Sequence, residues 1–301
     1  MTTLKSVIGT TRPPFLILSP ACVAVGLGTA FWQHYRLVLP YILLVFIGAL
    51  FAHICVNVFN EYFDYKSTLD YKTQRTPFSG GSGTLPSNPE LGKAAWRLAW
   101  ITFAITALIG LFFIYKSGWK LLLIGIPGLI LVVTYTIWWV YRPLLCLLAP
   151  GIGFGVIMVM GTHYVFAGSF SWTAFVASLV PTFLVSNLLL LNQFPDVEAD
   201  RSIGRRHFPI TIGRKASSTI YGIFLLLAYL SIIVGVILGL LPVFSLIALL
   251  TAIIAWRAYQ GSRQNADNSS ALIPYMAQNV IVTVATPFLL AVGLFLGRLI
   301  G

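Results

Sequence analysis

The sequence predicts an all-α, polytopic integral membrane protein. Three observations point there. The 301-residue chain is 58% hydrophobic and only 9% charged, with a mean hydropathy of +0.88, whereas a soluble chain carries about 25% charged residues. Its apolar runs begin early and recur to the end, so residues 1–301 read as a single domain with no separate soluble part. Its 8 acidic residues are concentrated: Glu61, Asp64, Asp70, Asp196, Glu198 and Asp200 fall in two short stretches, leaving only Glu90 and Asp267.

Residues 1–13 are too polar for a signal-peptide core, and no cleavage is expected. A membrane-crossing helix needs about 20 mostly apolar residues. That window places nine spans, at 14–32, 39–60, 96–115, 119–137, 144–166, 172–191, 217–239, 242–259 and 277–299. Pro127 and Gly128 predict a kink in the fourth. Two connections, 61–95 and 192–216, are long, and each opens with an acidic stretch. The run 260–274 reads as a polar connector.

With the N-terminus inside, most of the 19 Lys and Arg residues, from Lys5 and Arg12 to Arg257 and Arg263, fall on one side. Arg36, Lys116, Lys120 and Arg298 fall on the other. This asymmetry follows the positive-inside rule and puts both acidic stretches on the cytoplasmic face, in a prokaryotic inner membrane. The net charge of +11 is then a membrane-surface property, and no nucleic-acid partner is expected. Cys22, Cys55 and Cys146 lack metal or redox spacing and read as buried small hydrophobes.

The first acidic stretch is Asn60-Glu61-Tyr62-Phe63-Asp64, extended by Asp70. The second is Asn192-Gln193-Phe194-Pro195-Asp196, extended by Asp200. They share the pattern Asn-x-x-x-Asp four helices apart, which is compatible with an internal repeat of four-helix units. Asn57, Asn60, Glu61 and Asp64 recur at helical spacing and share one face. Asp70 leaves that face and is expected on a turn folding back. Pro195 disfavours an uninterrupted helix, so a new helical turn is expected to begin there.

Carboxylate clusters at one membrane face repel each other unless cations sit between them. Basic residues are interleaved: Lys66, Lys72 and Arg75 after the first stretch, and Arg201, Arg205 and Arg206 after the second. Carboxylates mixed with carboxamides suit Mg²⁺, which takes oxygen ligands and usually shares them with substrate phosphates. The candidate ligands are Asn60, Glu61, Asp64, Asp70, Asn192, Asp196 and Asp200. Basic side chains would bind the outer phosphate oxygens. This chemistry at the mouth of an apolar cavity suits a lipid diphosphate with its tail among the helices.

Weaker signals remain. Gly80-Gly81-Ser82-Gly83 is either a phosphate cradle or a plain loop, and no nucleotide P-loop lysine follows it. Gly151-Ile152-Gly153-Phe154-Gly155 reads as close helix packing. His34, His53, His163 and His207 lack ligand spacing, and His163 reads as a satisfied buried histidine. Ser186 and Asn187 are expected to bond between helices.

The segment Asn60 to Lys66 with Asp70 resembles the first aspartate-rich motif of the UbiA superfamily of intramembrane prenyltransferases, and Asn192 to Arg201 resembles the second. Gly204-Arg205-Arg206, Thr211 to Arg214, Tyr135-Thr136, Arg142-Pro143-Leu144 and Arg12-Pro13 are also similar to that family. The spacing from Asp64 to Asp70 looks most like the branch that prenylates 1,4-dihydroxy-2-naphthoate for menaquinone. Three features depart from the pattern. Glu61 stands where an Asp is usual, Trp139 stands where some branches have lysine, and Thr76 to Gly83 replaces a more basic loop.

The resemblance implies about nine helices around a central cavity, with cytoplasmic caps from the two long loops. It implies Mg²⁺-dependent transfer of a polyprenyl group from its diphosphate to an aromatic acceptor, with metal held by Asn60, Asp64, Asp70, Asn192, Asp196 and Asp200. Arg12, Lys66, Arg75, Arg205 and Arg206 would stabilise the departing diphosphate. Tyr135, with Tyr62, Phe63 and Trp138, would face an allylic cation. Other acceptors within the superfamily are hydroxybenzoate, a glycerol phosphate lipid, haem, a chlorophyll-like ring, or the chain itself in terpene cyclisation. A cation-coupled transporter is the alternative of another class. It would place ionisable groups near mid-span, whereas here they stand at span ends.

Overall fold

The computed structural model describes residues 7–301, and Lys5 lies outside them. All its regular elements are helical, and eight helices are long and apolar enough to cross a membrane. They are α1 (Leu18–Trp32, entered through a 3-10 turn at Pro13–Ile17), α2 (Leu39–Lys66), α3 (Gly92–Ser117), α5 (Pro143–Ala167), α6 (Trp172–Ser202), α7 (Arg214–Ile237), α8 (Ala252–Gln264, entered through 3-10 turns from Val243) and α9 (Ser269–Ile300). The fourth expected span is the shorter apolar helix α4 (Leu122–Thr134), which runs through Pro127.

Three expectations change. The acidic stretches do not open loops. Asn60 to Asp64 lies on α2, which continues to Lys66, and Asn192 to Asp200 lies on α6, which continues to Ser202. Pro195 does not start a new turn, since α6 is unbroken through both Pro181 and Pro195. Packing overrides the local signal: α6 touches α1, α5, α7 and α9, and such surroundings re-satisfy backbone groups freed by an intramembrane proline. Arg214 Nε donates to the Phe194 carbonyl at 2.8 Å, right beside Pro195. The polar run 260–274 is likewise mostly helix, with only residues 265–268 between α8 and α9.

The main core is built around α6, where Leu184, Leu190, Leu191 and Phe194 meet Tyr221, Ile232, Met276 and Leu290. Asn187 Nδ2 donates to the Tyr221 carbonyl at 2.8 Å, and Tyr221 Oη donates to Asn279 Oδ1 at 3.0 Å. Asn187 thus ties helices together as expected, whereas Ser186 Oγ has no partner among the described residues. Cys22, Cys55 and Cys146 are all buried and unpaired. His163 Nδ1 lies 3.0 Å from Thr29 Oγ1, but its Nε2 has no partner, so that histidine is only half satisfied.

The glycines of α5 set its distance from α6. Gly153–Ile157 forms a π turn within α5. A Cβ at Gly151 would meet the Thr182 carbonyl and Ser186 Oγ, and one at Gly155 would meet Thr182 Oγ1 and the Ser178 carbonyl. Backbone blocks that approach, so a side chain here must push the helices apart. Gly155→Leu is expected to destabilise the fold by about 1–3 kcal/mol, the usual cost of overpacking. A lower melting temperature in detergent, followed by size-exclusion chromatography after heating, would show it.

Candidate active site at the cavity mouth

The ends of α2 and α6 meet at one end of the bundle, around a cavity of about 700 Å³. Its mouth is lined by Arg12, Asn60, Asp64, Asp70, Asn192, Asp196, Asp200, Arg205 and His207. Its apolar interior reaches Phe113, Leu121 and Val165, near the opposite ends of α3 and α5. Helical spacing puts Asn60 and Asp64 on the inner face of α2, and Asn192, Asp196 and Asp200 on that of α6. Asp70 reaches the same mouth from a short helix, Leu69–Lys72, after the chain turns at Thr68.

Arg205 joins the two stretches. Its guanidinium donates through Nη1 to Asp200 Oδ1 at 2.9 Å and through Nη2 to Asp64 Oδ1. His207 Nε2 lies 2.9 Å from the other Asp200 oxygen. Burial works to lower the Arg205 pKa, but Asp64 and Asp200 outweigh it and hold it above its ordinary value. Arg12 follows the same balance, with Glu61, Asp64 and Asp70 together outweighing burial. Burial also pushes the Asp70 carboxyl up to about 7, with Asp64 and Glu61 adding to the rise. That field favours added positive charge.

Glu61 does not line the cavity. Its Oε1 accepts from Arg12 Nε at 2.6 Å and from the Ser82 amide at 2.8 Å, and its Oε2 accepts from Ser82 Oγ at 2.6 Å. Both oxygens are occupied, so Glu61 clamps the N-terminal segment and the glycine loop to α2. Arg12 adopts left-handed backbone geometry, φ 51°, a conformation that costs a non-glycine residue on the order of 1–3 kcal/mol. Its bonds to Glu61 and Asn60 (2.9 Å) hold it there. The loop itself reaches the mouth. Gly80 and Gly81 line the cavity, and the Gly80 amide faces Asp196.

Other basic candidates sit outside. Lys66, Arg75 and Arg206 are exposed and do not line the cavity. Lys66 Nζ stands 5.9 Å over the Tyr62 ring, and Arg75 packs against Gly83. Tyr135 does line the cavity, with Cys146 and Gln193, and Gln193 Nε2 donates to Cys146 Sγ at 3.2 Å. Tyr62 and Phe63 instead pack against Trp96, tilted and edge-on respectively, and Trp138 is exposed. Sequence reasoning gave His207 and His53 no role at the site, because neither has ligand spacing. His53 extends the spacing of Asn57, Asn60 and Asp64 by one more turn, a signal present in the sequence.

Among the described residues no three His, Cys, Asp or Glu groups converge as a ready-made metal cage. Three buried oxygens at the mouth, Asp70 Oδ2, Asn192 Oδ1 and Asp196 Oδ1, nonetheless have no hydrogen-bond partner. Buried polar atoms are normally paired, and these three acceptors stand unused at the cavity mouth among the described residues.

A lipid-embedded chamber with a charged mouth defines an integral membrane enzyme that handles an amphiphile. The UbiA prenyltransferase family model matches residues 17–281, so the chain belongs to that family and is a prenyltransferase. It is 27% identical over 293 residues to the 1,4-dihydroxy-2-naphthoate octaprenyltransferase of Bacillus subtilis, covering 95% of this chain and 91% of that one. It is 26% identical over 186 residues to the digeranylgeranylglyceryl phosphate synthase of Methanobrevibacter smithii, covering 60% and 61%. The fold matches a UbiA homologue from Aeropyrum pernix K1, with a TM-score of 0.71, 20% identity and coverage of 92% and 96%. It also matches a UbiA homologue from Archaeoglobus fulgidus bound to DMAPP and Mg²⁺, with a TM-score of 0.62, 15% identity and coverage of 95% and 99%.

Arg205→Ala leaves Asp64 and Asp200 without their shared counter-charge. Removing one partner of a buried pair typically costs about 3–5 kcal/mol. The variant is expected to melt lower than the parent, and added divalent cation is expected to restore more stability to it than to the parent. Differential scanning fluorimetry with and without Mg²⁺ measures both.

Proposed function

We propose that this chain transfers a polyprenyl group from its diphosphate to an aromatic acceptor, 1,4-dihydroxy-2-naphthoate, in menaquinone biosynthesis. The observation that carries the reading is the set of unpaired buried oxygens on Asp70, Asn192 and Asp196, beside Arg12 and Arg205, at the mouth of an apolar chamber. The motif spacing and the Bacillus relative support the acceptor. The excess of Lys and Arg in the segments on the mouth's side of the bundle supports its facing the cytoplasm of a prokaryotic cell.

The donors at the mouth fit Mg²⁺. They are oxygens from carboxylates and carboxamides, and the lack of a closed cage suits a cation that shares its ligands with phosphate. Asn60, Asp64, Asp70, Asn192, Asp196 and Asp200 would hold it, while Glu61 is better read as the clamp on the glycine loop. When bound, Mg²⁺ supplies charge neutralisation at a departing diphosphate.

The chain's own groups do the rest. Arg12 and Arg205 offer guanidinium donors to phosphate oxygens, and Arg205 Nε has no partner among the described residues. Gly80 and Gly81 bring backbone close to the same point. The apolar walls hold the prenyl tail and keep water from the reacting carbon, and Tyr135 lines the same cavity with an aromatic ring of the kind that stabilises a cation. In the reaction the prenyl C–O bond breaks, diphosphate leaves, a ring carbon bonds to the prenyl carbon, and the ring loses a proton.

Partial identity to a glycerol phosphate prenyltransferase favours a second reading with a lipid phosphate acceptor. Mass spectrometry of products from purified protein, Mg²⁺, geranylgeranyl diphosphate and each acceptor separates the two. The prenylated naphthoate is expected. Asp64→Ala and Asp196→Ala are expected to lower kcat about 10²-fold or more, and EDTA to stop turnover. Undiminished activity in EDTA overturns the reading.

A further inference from the structure

One polar group deep in the chamber is not used by diphosphate chemistry. His53 lies on α2, on the same face as Asn57, Asn60 and Asp64. It is about 16 Å along the helix from Asp64 and about 6 Å from Asn57, at 1.5 Å per residue. It is buried, yet its ring lines the cavity. Its Nδ1 lies 2.9 Å from Ser19 Oγ on α1, and Phe154, in the π turn of α5, meets the ring edge-on at 4.6 Å. The ring is therefore held on two sides. Its Nε2 has no partner among the described residues and faces the chamber.

Asn57 is placed alike. Its Nδ2 donates to the Thr11 carbonyl at 2.9 Å, and its Oδ1 is unpaired among the described residues at the cavity wall. Both atoms are open to the cavity, where a hydrocarbon tail offers them no partner and an oxygenated co-substrate does.

We infer that His53 Nε2 and Asn57 Oδ1 hold the two ring oxygens of a 1,4-dioxygenated aromatic acceptor. The one-turn spacing of the two side chains is close to the separation of oxygens para to each other on a six-membered ring. A hydroxyl donates to Asn57 Oδ1, and the opposite hydroxyl pairs with His53 Nε2. Ser19 Oγ fixes the imidazole so that this nitrogen points inward. The acceptor ring then lies against α2, with one edge toward Asn60 and the mouth. This inference rests on the aromatic-acceptor reading above.

The test compares Michaelis constants of the full-length protein for 1,4-dihydroxy-2-naphthoate and for geranylgeranyl diphosphate. His53→Ala is expected to raise the acceptor KM about tenfold, the value of one hydrogen bond, and to leave the prenyl diphosphate KM within about twofold. His53→Gln, which keeps a donor and an acceptor, is expected to recover most of the loss. The analogue 1-hydroxy-2-naphthoate lacks one ring oxygen. As a competitive inhibitor it is expected to bind about tenfold more weakly than the parent acceptor in wild type, and that discrimination is expected to disappear in His53→Ala or in Asn57→Ala. Asn57→Ala carries the comparison if His53→Ala does not fold. An unchanged acceptor KM, a parallel rise of both constants, or intact discrimination in both variants overturns the inference while the enzyme stays active. A wild-type protein that prenylates no oxygenated ring overturns the acceptor reading and this inference together.

Discussion

The structure depends on keeping five carboxylates within a low-dielectric mouth. Glu61, Asp64, Asp70, Asp196 and Asp200 come from three separate segments, and most are buried. Isolated charges in such a place are unaffordable. Two arginines make the arrangement tenable. Arg205 sits between Asp64 and Asp200, and Arg12 is bound to Glu61 and Asn60. The compensation is incomplete, because oxygens of Asp70, Asn192 and Asp196 stay unpaired. Incomplete internal pairing leaves acceptors at the mouth without a protein partner among the described residues, which is what the proposed binding of a cation with a polyanion requires.

The rest of the bundle makes that mouth possible. α6 is the central mast, and its packing lets it run straight through Pro195, so Asn192, Asp196 and Asp200 stay on one face. Close approach of α5 at Gly151 and Gly155 closes one side of the chamber, while the π turn between α5's two halves brings Phe154 against His53. Glu61 has a different part from its neighbours. It spends both oxygens on Arg12 and Ser82, so the glycine loop is held at the opening.

Much of this was legible in the sequence. Hydropathy located all eight helices that are long and apolar enough to cross a membrane, because apolar runs of that length have few other uses. The scarcity of acidic residues exposed both stretches. The spacing of Asn57, Asn60 and Asp64 indicated their shared face. Three things were hidden for physical reasons. Helix extent past the membrane was misjudged, because polar residues at the ends of α2 and α6 look like loop until their packing is known. Glu61 was grouped with the ligands, because spacing cannot show that Ser82, far along the chain, captures its oxygens. Among the arginines, Arg205 faces inward while its neighbour Arg206 is exposed, and no periodicity of the loop distinguishes them.

The clasp at Arg205 has a consequence for biogenesis. Asp64 is synthesised well before Asp200 and Arg205, with four more membrane helices inserted in between. Until α6 and the segment after it emerge, Asp64 lacks the guanidinium that bonds it in the finished fold, and only Arg12 lies near it. The bond that ties the end of α2 to the end of α6 therefore forms only after Arg205 has been made.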